Sequence, residues 1–208
     1  MYETVFKTKT PSSEILINIK IVQTLSNNLI QYENKNFFNK LCKNGCPNFN
    51  HKWSCPPYSP LYSEYSKEYS NAMLVLLFCT LNQFYYIKTE YMKVKASNSI
   101  LKSKMDKFMR WLEPVFNGKI LSNGSCRLCK LCTCKDKTGN CKKPKEMRYS
   151  MESVGLDVEK ISLHFLNHKF LWYKNKKAPL YSSVVSCLLT PKPVNINSLI
   201  SQLENITL

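Results

Sequence analysis

Cys126, Cys129, Cys132 and Cys141 read as C-x2-C-x2-C with a fourth cysteine after eight further residues. Thiolates three residues apart on a turn wrap one side of a bulky 4Fe-4S cluster, and a more distant cysteine closes the other side. In ferredoxin-type sites a proline follows the distant cysteine, whereas here Pro144 comes three residues after Cys141. Zinc is the alternative metal, because soft thiolates select both zinc and iron-sulfur clusters. A structural zinc ribbon pairs two separate C-x2-C knuckles, and three cysteines in seven residues can supply both only by sharing Cys129. The spacing therefore favours a cluster. Cys134 leaves one ligand open, since it could take the place of Cys132.

A second set, Cys42, Cys46 and Cys55, offers three thiolates in one loop that Gly45 and Pro47 shape at its start and Pro56-Pro57 stiffen at its exit. Its intervals do not match the close three-cysteine run of radical SAM enzymes, whose second interval is much shorter. The expected arrangement is a second, separate cluster with one iron free of protein thiolate. Alternatives are that these cysteines complete the first cluster or bind zinc together with His51. His51 also reads as an exposed loop histidine, and Cys79 and Cys187 as buried free cysteines within strands. Any of the three, a non-protein group or nothing supplies the fourth position.

Ten cysteines among 208 residues raise the question of disulfides. The amino terminus lacks the apolar stretch of a signal peptide, so reduced thiols and a cytoplasmic location are expected. The longest apolar run, Ala72 to Leu81, falls far short of the ~20 residues that span a bilayer, and no membrane segment is expected. An apolar content of 44% is enough for an ordinary core, so metal is not needed merely to fold.

A net charge of +16 suggests a polyanionic partner, but only Arg110, Arg127 and Arg148 among the 30 basic residues are arginines. Lysine spread over the surface among Asn, Ile, Ser and Tyr carries no base-reading motif, and nucleic acid is not expected as a partner.

The elements that must position these cysteines follow from apolar periodicity. Ile15, Ile17, Ile19 and Val22 alternate, then Leu25 and Leu29-Ile30 fall at helical spacing, so residues 12–38 read as a short strand followed by a helix. Ala72 to Leu81 reads as a central strand buried on both faces, and Ser182 to Thr190 as another. Met105, Phe108, Met109, Leu112 and Phe116 mark one face of a helix running from about Ser97 to Asn117-Gly118. Pro144, Met147, Met151 and Val154 suggest a short helix ending at Gly155, and Phe165 to Tyr173 a further strand. With no linker or repeat, residues 1–208 are taken as a single domain. The expected fold is α/β or α+β, a small mixed sheet with flanking helices and cysteine-rich metal-binding insertions at 42–57 and 124–144.

The order of these pieces resembles a bacterial and archaeal family of predicted metal-binding proteins, a domain of unknown function. One signature of that family is a cysteine group, a Tyr-Gly turn, a Trp and then Cys-Pro-Pro, which Cys46 to Pro57 resembles with Asn50 in the place of the glycine. Asn tolerates the left-handed backbone such a turn needs. The other resembles Gly124 to Cys132, then Cys141 to Pro144, then Arg148 to Val158. Cys134 lies outside it. The resemblance implies metal binding without a defined reaction.

Arg127 and Arg148 are candidates to donate hydrogen bonds to cluster sulfides or to an anionic substrate; the other reading is surface charge. Glu152 reads as an i, i+4 helix partner of Arg148. The function expected is a soluble iron-sulfur protein with one or two 4Fe-4S clusters, leaning to a redox or sulfur-handling enzyme, with an electron donor or small-molecule substrate as partner. The alternative is a zinc-stabilised binding module, in which the basic surface serves RNA. The sequence sets neither substrate nor oligomeric state.

Overall fold

A computed structural model describes residues 1–196 and 199. Its strands are β1 (Tyr2–Lys9), β2 (Glu14–Leu25), β3 (Asn71–Thr80), β4 (Lys119–Leu121) and β5 (Tyr181–Thr190). They form one five-stranded sheet in the order β1-β2-β3-β5-β4. Every neighbouring pair is antiparallel, so of the two expected classes the fold is α+β, and its sheet holds no parallel pair among the described strands.

β3 lies between β2 and β5, with Val75 opposite Ile21 on one side and Ser186 on the other. Met73, Val75, Leu77 and Cys79 enter one core, and Ala72, Leu74 and Leu76 enter the second. A strand covered on both faces has no polar alternation to show, which is why it reads as a continuous apolar run. The first core packs Ile15, Ile17, Ile19 and Ile21 of β2 beneath a long helix, α3 (Glu90–Val115), through Leu101, Met105, Phe108, Met109 and Leu112. This helix begins well before Ser97. Thr89 caps it, accepting from the Met92 amide at 3.4 Å, and its first two turns bury no side chain that could mark them in the sequence.

The second core is covered by a 3-10 helix (Ser26–Tyr32), a helical turn α2 (Tyr62–Tyr65), the turns around Met151 to Leu156, and α5 (Val158–Leu166). Asp157 caps α5 by accepting from the Lys160 amide at 3.1 Å, and Asn167 ends it in the left-handed region at φ +44°.

Four local expectations change. The helix after β2 divides into the 3-10 helix and α1 (Lys35–Gly45), with Asn34 capping the latter. Residues 144–155 form turns rather than a helix; Met151 and Val154 are buried, but the chain turns at Gly155 with φ +96°. Phe165 sits in the last turn of α5 and the chain to Trp172 is irregular, so no strand forms there. β1 is an unexpected edge strand, alternating half-buried and exposed residues with little apolar signal. Among the described residues no helix is long and apolar enough to cross a membrane.

Candidate metal centres

β4 delivers the chain to residues 123–132, which carry no regular element before the helical turn α4 (Thr133–Asp136). Cys126, Cys129, Cys132 and Cys141 all line one small cavity of about 20 Å³, together with Lys52, Trp53 and Lys143. The donor set is entirely thiol, since no histidine or carboxylate lines the cavity. Each of the four is partly exposed, so the site lies near the surface. Burial raises the Cys126 thiol above its ordinary pKa, while the Leu128 amide, Lys52 and Arg110 act the other way by favouring the thiolate.

The second set lies where α1 ends. Cys42 and Cys46 are one turn apart, the Cys46 amide donating to the Cys42 carbonyl at 3.0 Å, and Cys55 is buried nearby. Burial pushes the Cys55 thiol up to about 11, and the charges of Cys46 and Cys42 add to the rise. Burial likewise raises Cys42, with further contributions from Cys46 and Glu152. Cys42 and Cys46 open onto a groove of about 830 Å³. This set is tied to the core through Lys35, whose ammonium donates to Ser59 Oγ at 2.6 Å, to the Pro60 carbonyl at 3.1 Å and to the Ser153 carbonyl. Burial lowers the Lys35 pKa to about 8.

The two cysteine-rich segments interlock. Ser54 Oγ accepts from the Cys126 amide at 3.0 Å, so the residue next to Cys55 holds the backbone of the first cysteine of the other set. Trp53 Nε1 donates to Thr133 Oγ1 at 3.1 Å. Lys137 donates to the Asn50 carbonyl at 3.2 Å and to Asn50 Oδ1 at 2.9 Å, bonds Tyr58 Oη, and lies 4.6 Å from the Tyr58 ring centre. Asn50 occupies the left-handed region at φ +57°, as a turn residue in place of glycine must. These partners are 72–87 residues apart in the chain, a separation no local spacing reveals.

Cys134 lies outside the four-cysteine cavity, fully buried, with its thiol directed to the Asn50 carbonyl at 3.7 Å. His51 is exposed, its Nδ1 3.0 Å from the Pro47 carbonyl. Cys79 and Cys187 are buried in β3 and β5. Arg127 and Arg148 line a second small pocket beside Cys126, and Arg110 joins them, so every arginine of the chain gathers behind this site. Arg148 is engaged by Glu113, Nη2 to Oε2 at 2.9 Å, rather than by Glu152. Glu152 instead lines the groove beside Cys42, a position its sequence spacing does not disclose. Among the described residues no three His, Cys, Asp or Glu side chains form a group that could hold a metal ion as they stand. The four thiols thus ring a cavity and do not converge on one point.

Comparison with curated proteins and with solved structures gave no match. A family model described as "Predicted metal-binding protein (DUF2284)" matches residues 23–189, which include all ten cysteines and the strands β3 to β5 save the last residue of β5. With two all-cysteine groups inside the matched span, the chain belongs to this family of predicted metal-binding proteins.

Proposed function

We propose that the chain is an iron-sulfur protein with redox or cluster-based catalytic chemistry, in which Cys126, Cys129, Cys132 and Cys141 hold one 4Fe-4S cluster and Cys42, Cys46 and Cys55 hold a second. When bound, such a cluster supplies one-electron transfer, and an iron lacking a protein thiolate supplies Lewis acidity. The observation that carries the reading is the contrast between the two sets. Four thiols surround a small cavity of their own near the surface, whereas Cys42 and Cys46 of the three-thiol set face a groove large enough for a substrate.

The chain's own residues divide accordingly. Lys52, Lys142 and Lys143 offset the anionic charge of the downstream thiolates at a site near the surface, suited to exchanging electrons with a donor. Arg127 adds positive charge behind Cys126, while Arg110 and Arg148 beside it are paired with Asp106 and Glu113. Ser54 and Cys55 form the short covalent and hydrogen-bonded link between the sets, a route by which an electron received at one reaches the other. Because the downstream cavity is small, binding a cluster requires residues 123–132 to widen around it; no regular element opposes that movement.

The Cys42/Cys46/Cys55→Ala triple variant tests this division. It should lose about half of the iron and acid-labile sulfide and keep a reducible cluster visible by electron paramagnetic resonance. Retention of every iron atom would remove the second centre. Bound zinc in place of iron in the wild type would favour a zinc-stabilised module, with the basic surface available to RNA.

A further inference from the structure

The groove beside Cys42 and Cys46 has walls that specify a class of ligand. α1 forms one side, and although it is amphipathic, not one of its residues is fully buried among the described residues. Phe37 and Leu41 on this helix are about half exposed, and across the groove Trp172 is 66% exposed and stacked on Phe170 at 5.8 Å. Apolar walls around about 830 Å³ fall within the range of small-molecule sites. The charge lining them opposes that of the rest of the molecule. Four of the chain's 14 acidic residues but one of its 30 basic residues line this groove.

Two of the four carboxylates are already engaged. Asp157 pairs with Lys160 at 3.1 Å, and Glu159 accepts from the Trp172 indole. Each of the other two keeps carboxylate oxygen unpaired among the described residues. Glu33 accepts from the Ser63 amide through Oε2 at 3.0 Å, but its Oε1 is buried without a hydrogen-bond partner among the described residues. The Glu152 carboxylate makes no hydrogen bond or ion pair among the described residues, only its backbone carbonyl accepting from the Gly155 amide at 3.0 Å, and its charge acts on the Cys42 thiol. A buried carboxylate oxygen left unpaired is costly, and a cationic ligand group supplies what it lacks.

We propose that this groove binds a small organic cation, an ammonium or quaternary ammonium on an aromatic or branched apolar body. Its charge lies towards Glu33 and Glu152, and its body lies on Phe37, Leu41, Phe170 and Trp172. Aromatic faces attract such cations as well as covering their carbon surface. The ligand is thereby held beside Cys42 and Cys46. The claim that it is also the substrate rests on the cluster reading above, while binding itself does not.

The test uses anaerobically purified full-length protein with its own metal, and benzyltrimethylammonium and phenylmethanesulfonate as probes of like shape and opposite charge. Equilibrium dialysis should show saturable binding of the cation and none of the sulfonate, with quenching of tryptophan fluorescence. Glu152→Gln should weaken the cation about tenfold, one lost charge contact being worth about 1.4 kcal/mol. Trp172→Phe keeps an aromatic wall and should keep binding by dialysis while losing most of the fluorescence change. Equal binding of both probes, no saturable cation binding, or wild-type affinity in both Glu152→Gln and Glu33→Gln would overturn the proposal. Selective cation binding by protein found to contain zinc would uphold the groove and remove the cluster reading alone.

Discussion

Cys129 and Cys134 show how much one side chain's surroundings decide. Cys129 lines the four-thiol cavity and is partly exposed, whereas Cys134 is fully buried with its thiol aimed at the Asn50 carbonyl. Cys129→Ala should therefore strip the downstream iron and sulfide, and Cys134→Ala should leave most of it while lowering stability by about 1 kcal/mol for the lost packing. Colorimetric iron and sulfide counts on the two variants check this; a larger loss from Cys134→Ala would reverse the assignment. At this scale the C-x2-C-x2-C spacing made it legible that Cys126, Cys129 and Cys132 line one cavity, because cysteines so close in sequence share one stretch of loop. The left-handed Asn50 was legible through the family resemblance, which puts a turn glycine at that place. Ser54, Lys137 and Glu152 were not, since what they touch is set by how distant segments meet.

Among the elements, α1 matters most to the three-thiol set, and its start is held by a close backbone approach. The Asn34 amide donates to the Gly155 carbonyl at 2.7 Å, and a Cβ on Gly155 would lie 2.9 Å from both Lys35 N and Lys35 Cα. With φ at +96° as well, Gly155→Ala meets both a steric and a conformational penalty, together about 2–4 kcal/mol. Its urea midpoint should fall, and iron should be lost from the Cys42/Cys46/Cys55 site before the other; an unchanged midpoint would show that the approach is not that tight in solution. β3 and β5 could be read from sequence because both of their faces are covered. α5 is missed in the sequence because the aromatic segment that overlaps its end, Phe165 to Tyr173, reads as a strand and draws attention from the helical set Val158, Ile161 and Leu166 between the Asp157 cap and Asn167. The turns of 144–155 mimicked a helix because buried residues three apart, Met151 and Val154, satisfy a turn as well as a helical face.

For the molecule as a whole, one source of pH-dependent stability lies away from the cysteines, at His168. His168 is 6% exposed, 2.7 Å from Ser183 Oγ and packed against Phe78 and Tyr181. Burial first, and the Lys20 charge second, lower its pKa from 6.5 to about 4. A base depressed in the folded state contributes stability that is fully present above about pH 6.5 and is lost as pH falls through about 4. That loss amounts to roughly 3 kcal/mol for the shift. Urea denaturation of metal-free protein at pH 7 and pH 4.5 should show it in the wild type and much less in His168→Gln; parallel loss in both would assign acid sensitivity to the carboxylates instead. The interlocked cysteine segments lie on the opposite side of the account, because their value to the protein depends on what the thiols hold. The most direct measurement is the iron, acid-labile sulfide and zinc content of the anaerobically purified wild type, taken with its visible spectrum before and after dithionite. Two clusters predict roughly eight irons and eight sulfides per chain and a broad absorption that bleaches on reduction. Colourless protein carrying stoichiometric zinc and no sulfide would contradict it.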